Sequence, residues 1–227
     1  MKKISVLLAA LAIFGTTLTA PAVVINEFLY NTDGGACFVE LYNRSSVPVE
    51  ISGWQLQQGD TTGNWVTLAT IDAGTTLPAG AHYLIASQDL FITVPDQEEN
   101  FVIAKGAATV QGLRLATNTS VKDTVLYARG TSPADSGLRD DANALRWMRT
   151  DALLANGTGT NVDIDAAVST AAGGPGMGAR RLGPGGAATG DGYDTNDAAV
   201  DFAAFTVGSA SPRSMSTPVT MTTFEAK

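Results

Sequence analysis

Cysteine is almost absent from this sequence: Cys37 stands alone, so no disulfide can form within the chain. Histidine is as scarce, with His82 the single one. That rules out a His-pair metal centre and leaves a Ser-His-Asp arrangement only one residue to turn on. Charge is thin at 16% of residues and leans acidic, 22 Asp and Glu against 14 Lys and Arg, for a formal net charge of -8. A general binder of phosphate backbones needs clustered Lys and Arg, and this balance argues against one. Past the N-terminus no run is long and apolar enough to span a bilayer. What the chain does have is apolar content, 44% of its 227 residues, too much for a disordered polymer. Its length fits one large all-β domain or two small ones, and suffices to bury a core without covalent staples.

The first twenty-two residues read as an address rather than as structure. Lys2 and Lys3 form a positive start, Ile4 to Leu18 is apolar with only small polar interruptions, and Ala20-Pro21-Ala22 offers small residues at the positions a signal peptidase reads. This order predicts a secretory signal peptide over 1–22, cleaved after Ala22. Its removal takes two lysines from the 14 basic residues and leaves 12 against 22 acids, a net charge of -10. Cys37 lies too far from the cleavage region for a lipoprotein anchor, and Val219 to Lys227 holds no hydrophobic tail. The expected location is the periplasm or the medium, with no membrane anchor.

Short apolar runs separated by turn residues dominate the rest. Strands are expected at 23–30, 38–43, 49–51, 54–56, 65–71, 81–87, 101–104, 112–116 and 124–128, divided by Gly, Asn, Asp and Pro clusters. A last strand is expected near 200–207. This spacing, without helical periodicity, predicts an antiparallel sandwich or barrel. Residues 131–176, rich in Ala, Gly, Thr and Asp, read as a long insertion on the surface. Asp140 or Asp141 would cap a short helix there through Ala144, Leu145, Trp147 and Met148. Residues 23–213 form the expected domain and 214–227 a flexible tail.

Three blocks in this order carry a resemblance. They are Val24-Ile25-Asn26-Glu27; Phe38-Val39-Glu40-Leu41-Tyr42-Asn43 followed by Val49-Glu50-Ile51-Ser52-Gly53-Trp54-Gln55-Leu56; and Asp194 to Phe202 followed by Ser211-Pro212. Together the sequence resembles the lamin tail domain family, secreted bacterial type. The resemblance implies an all-β, immunoglobulin-like antiparallel β-sandwich, here with a long loop and short-helix insertion. It also implies an interaction module rather than an enzyme. Asn26, Glu27, Glu40, Tyr42, Asn43, Gly53 and Trp54 are its motif residues. Arg213 stands where many relatives have a glycine, and residues 131–176 have no counterpart.

The same residues can be read physically. Trp54 follows a flexible Ser-Gly pair and is a large apolar body that a sandwich would bury. Val39 and Leu41 share one face of their strand, Phe38, Glu40 and Tyr42 the other. Glu27 and Glu40 each sit between apolar residues on their own face, Ile25 and Leu29 for Glu27, Phe38 and Tyr42 for Glu40. Such a pair could act in acid–base work or hold a metal, but carboxylates accepting backbone N–H bonds are the commoner case. Asp191, Asp194 and Asp197 flank a glycine in a spacing loosely suited to calcium, though no glutamate closes the loop, and turn-making accounts for them. Arg180-Arg181 is expected to meet nearby aspartates, and Cys37 to pack. His82 is expected as a partly exposed strand residue. No catalytic residue and no cofactor is expected. The expected role is a secreted, non-enzymatic binding module for a protein or glycan partner, without nucleic-acid binding. The alternative is a small exported metal-dependent hydrolase or nuclease, or an accessory subunit of one.

Overall fold

The computed structural model describes residues 21–30, 36–87, 93–104, 108–128, 133–141, 145–149, 177–187, 190–206 and 210–215. The expected signal peptide lies almost wholly outside these residues. Two main sheets are formed. The first has the order β13 (Phe202–Thr206), β12 (Met177–Arg181), β1 (Val23–Tyr30), β2 (Phe38–Asn43), β7 (His82–Ala86), β8 (Gln97–Glu98). The second has the order β11 (Trp147–Arg149), β10 (Val121–Ala128), β9 (Gln111–Ala116), β4 (Gln55–Gly59), β5 (Trp65–Thr70). A small ribbon pairs β3 (Val49–Glu50) with β6 (Thr76–Leu77). Pairing is antiparallel except at two edges, where β8 and β11 run parallel to their neighbours. Among the described residues no helix is long and apolar enough to cross a membrane.

The sheets pack face to face over one core. Val39, Leu41, Tyr83 and Ile85 from the first meet Leu56, Leu113, Leu115 and Val125 from the second. Tyr127 stacks on Tyr30 with ring centroids 6.4 Å apart and leans on Phe28 at 5.5 Å. β1 is buried along its whole length, and a register shift between Ile25 and Glu27 explains how. The extra residue, Asn26, breaks the two-residue alternation, so Ile25 and Phe28 both face the inter-sheet core. Glu27 therefore does not share a face with Ile25. Leu29 lies instead in a second apolar cluster with Phe38, Leu84, Ala86 and Phe205. On β2 the expected division of faces holds, with Val39 and Leu41 in the main core and Phe38 in the second cluster.

Other expectations need correction. Phe101 to Ala104 is not a strand. Its Phe101 and Ile103 are buried in the core, but its backbone bonds to side chains: Ala104 O accepts from Tyr127 Oη at 2.6 Å and Phe101 O from Cys37 Sγ at 3.3 Å. The helix expected to run through Trp147 and Met148 is replaced there by strand β11, paired with Leu126 to Ala128. Nor is the start of the 131–176 stretch a mere excursion, because Leu138 is 1% exposed and joins Val110, Leu126 and Ala128 in a third cluster. Residues 142–144 and 151–176 lie outside the described residues. The last strand starts at Phe202, because Asp197 caps a single helical turn, Ala198–Asp201, by accepting from Ala199 N. At the C-terminal end the domain's contacts reach Met215, two residues past the expected boundary.

Candidate functional site

The motif residues fall in three places. Asn26, Glu27, Glu40 and Tyr42 gather on the outer face of the six-stranded sheet. Glu27 and Glu40 are paired across β1 and β2, and both are fully buried. Two like charges so placed need cations, and two arginines supply them. Arg180 grips Glu27 through Nε at 2.5 Å and Nη2 at 3.1 Å. Arg213 reaches Glu40 with Nη2 at 3.1 Å and Asp191 with Nη2 at 2.5 Å. Asn26 completes the cluster: Nδ2 donates to Glu40 at 2.8 Å and Oδ1 accepts from Gly192 N at 3.0 Å. Burial pushes the Glu40 carboxyl up, against the pull of Arg213. The His82 imidazole and the Arg213 guanidinium hold Asp191 well below the usual carboxylate range.

His82 is a partly exposed residue of β7, as expected, with 13% of its side chain accessible. Its ring lies 4.7 Å from that of Tyr42. Nε2 sits 3.8 Å from Glu40 and 3.6 Å from Asp191, too far for hydrogen bonds. Gly192 closes this corner with φ +69, and a Cβ there would stand 2.7 Å from the Tyr42 ring. Only glycine meets both demands cheaply.

Asn43 serves elsewhere. Fully buried, its Nδ2 is shared among the carbonyls of Val47, Leu77 and Pro78 at 2.9, 2.9 and 3.0 Å. It thereby pins two loops at the end of β2. Gly53 and Trp54 stand beside the other sheet. Gly53 turns the chain at φ +71, while Trp54 is half-buried at the margin of the core with the Lys122 ammonium 5.3 Å from its ring centroid. Trp54 is thus not the fully buried anchor expected.

A second arginine centre lies between the sheets. Arg181 is 1% exposed. Its Nε donates to Ile25 O at 2.7 Å, Nη2 to Asp123 at 2.6 Å, and Nη1 to Tyr193 O, Asp194 and Asp201 at 3.0, 3.3 and 3.4 Å. Asp123 also accepts from Ile25 N at 2.6 Å. The hub thus ties β12 to β1, β10 and the 191–201 loop. Asp141 adjoins it, and burial, then the charges of Asp123 and Asp194, push its carboxyl up to about 9.

The calcium candidates do not converge. Asp191 belongs to Arg213, Asp194 to Arg181 and Arg44, and Asp197 to the helical turn and Arg146. The carboxylates that do meet, within 4.8 Å among the described residues, are Asp123, Asp141 and Asp194. Arg181 already bonds two of them, so a cation is present without a metal. Arg180 and Arg181 were expected to meet nearby aspartates; Arg181 does meet Asp194 and Asp201, but Arg180 meets the distant Glu27, and Asp123 was missed. Asp123 stands in β10 between Lys122 and Thr124, ahead of the apolar run that starts at Val125, so the strand's own pattern did not mark it.

Two facing sheets, a shared core and carboxylates locked in ion pairs describe an immunoglobulin-like β-sandwich built for structure and contact. The family model named Lamin Tail Domain matches residues 16–164, and the chain belongs to that family. The match ends before β12, β13 and the third block of the resemblance. The family is an immunoglobulin-like, non-catalytic one. No curated protein sequence matches the chain.

Proposed function

We propose that the chain is an exported, non-enzymatic binding module of bacterial type that recognises a protein or glycan partner outside the cytoplasm. The observation that carries this reading is the closure of the acids. A general base needs a lone pair within reach of a substrate. Glu27 and Glu40 are buried and engage Arg180, Arg213, Asn26 and the amides of Ser211 and Arg213. Export is supported by the N-terminal pattern.

Binding is supported by where the tryptophans lie. The chain has three, Trp54, Trp65 and Trp147. All are half-buried, and all sit on or beside the five-stranded sheet rather than inside the core. Next to Trp65, Gln55, Gln57 and Thr67 form a neutral, hydrogen-bonding band, and Arg114 stacks on the indole 4.2 Å from its centroid. Aromatic bodies with polar rims suit partner contact. Affinity capture from the cell envelope and medium, with the mature chain and its Trp65→Ala variant side by side, tests the reading. A partner held by the first and lost by the second supports it; capture of nothing by either defeats it.

A further inference from the structure

Residues 210–215 cross the outer face of the six-stranded sheet as a strap, and its hold is unusual in kind. Three alternate main-chain amides each meet a carboxylate. Ser211 N donates to Glu27 at 2.9 Å, Arg213 N to Glu40 at 2.5 Å, and Met215 N to Asp96 at 3.0 Å. The carboxylates come from β1, from β2 and from the segment leading into β8, so the strap runs across the strands rather than along them. Alternate amides point to one side only in an extended chain. Pro212, lying between two of the donors, has no N–H to lose.

Two features separate this arrangement from ordinary packing. The contacts are to main chain, so they select an extended conformation rather than a sequence. One side chain adds selectivity: Arg213 fits between Glu40 and Asp191, which accept from its two terminal nitrogens at 2.5 to 3.1 Å. Charge-assisted bonds of this kind are the strong ones, and a guanidinium fork is the group that fits two carboxylates. Along the strap Ser211 and Met215 are exposed and Arg213 is partly so, while Pro212 and Ser214 are buried.

We propose that the carboxylate row Glu27, Glu40 and Asp96, with Asp191 beside it, is a docking site for an extended peptide segment centred on an arginine. The chain fills this site with its own residues 211–215, and a segment of the same chemistry from another polypeptide takes it when the strap leaves. The inference gives the binding-module reading a second surface and one class of ligand. A tethered occupant competes at an effective concentration of about a millimolar, so the free site shows only when the strap is weakened.

The test uses the full chain carrying Arg213→Pro, which removes both the amide and the guanidinium of the central position. A fluorescein-labelled peptide Ala-Ser-Pro-Arg-Ser-Met is titrated and followed by anisotropy. Saturable binding to Arg213→Pro is expected, at least ten-fold tighter than to wild type. It should weaken at least ten-fold when the peptide arginine is alanine or when Glu40→Gln is added to the protein. Absence of saturable binding to a folded Arg213→Pro protein, or binding indifferent to Glu40→Gln, overturns the proposal. Should that variant fail to fold, amide exchange on the wild type decides. Ser211, Arg213 and Met215 exchanging together through a local opening, well before the amides of β1 and β2, supports a displaceable strap. Exchange only with global unfolding overturns it. Neither readout involves the partner sought by affinity capture, so each idea can fail alone.

Discussion

Arg181 and Arg213 do the same chemistry at two depths. Each gathers carboxylates from distant parts of the chain, but Arg181 is 1% exposed between the sheets and Arg213 is 37% exposed on the outer face. At the buried hub the charges have lost their water and depend on each other entirely. At the outer clamp solvent shares the work, and the amides of the strap hold Glu27 and Glu40 whether or not the guanidinium is present. Depth, more than the number of ion pairs, therefore decides what each arginine is worth. The hub fixes the relation of the two sheets, and the clamp fixes one removable layer.

The largest expected effect comes from breaking the hub. Arg181→Met keeps volume but strands Asp123, Asp194 and Asp201 around an apolar chain. A loss of about 3–5 kcal/mol is expected in a urea titration, the range for removing one partner of a buried pair. A loss below about 1 kcal/mol would mean that water reaches the hub and that the contrast in depth is false.

The next sharpens the account of the hub's charge. Asp141 titrates at about 9 in the folded state against an ordinary 3.8. The folded protein therefore holds a proton that the unfolded chain has released, and stability falls as pH rises from about 4 towards about 9. Asp141→Asn removes this dependence. The variant should be more stable than wild type at pH 8, by on the order of 2 kcal/mol, with the two converging near pH 4. Parallel stability curves from pH 4 to pH 9 would place the Asp141 carboxylate in solvent.

Much of this was legible in the sequence, and the misses have physical causes. The strands β1, β2 and β7 stand out because they are apolar runs between turns. Asn26 defeated the reading of faces: a single bulged residue inverts every later position in the strand, and nothing in a sequence marks it. Trp147 was assigned to a helix because Asp140 or Asp141 could cap one running through it, whereas pairing with β10 decided the matter. Glu27 and Glu40 were legible as buried acids, but their arginine partners stand more than 150 residues away. Long-range ion pairs leave no local pattern. Arg213 was noticed only as a departure from the family, and that departure turned out to mark the clamp.

A smaller effect is expected at the clamp. Arg213→Ala leaves Glu40 with Asn26 and the strap amide, so the loss should be about 1 kcal/mol once solvent screening of a partly exposed guanidinium is allowed for. The pH response identifies its source. Burial already raises the Glu40 carboxyl, and Arg213 opposes that rise. Without the arginine the folded state takes up a proton more readily than the unfolded chain, so the variant should regain stability relative to wild type as pH falls towards 5. A deficit constant from pH 8 to pH 5 would assign the loss to packing.

The smallest effect completes the series in depth. Arg139 and Asp135 form an ion pair with both contacts at 2.9 to 3.0 Å, as short as most of those at the hub. Arg139 is as exposed as Arg213, at 37%, but its partner Asp135 is 46% exposed where Glu40 is fully buried, so the depth that differs here is that of the acid. Were distance alone the measure, Arg139→Ala should hurt as much as a change at the clamp. Exposed pairs instead exchange one set of hydrogen bonds for another with water and give up side-chain freedom in forming. The loop also keeps its own support, since Asp135 accepts from Gly137 N at 2.7 Å without help from the arginine. The urea midpoint of Arg139→Ala should therefore stay within the error of the titration at about 0.15 M salt, where surface charges are screened beyond roughly 8 Å. A shift as large as that of Arg213→Ala would show that geometry outweighs depth, and the ranking of the three arginines would have to be rebuilt on contact distance.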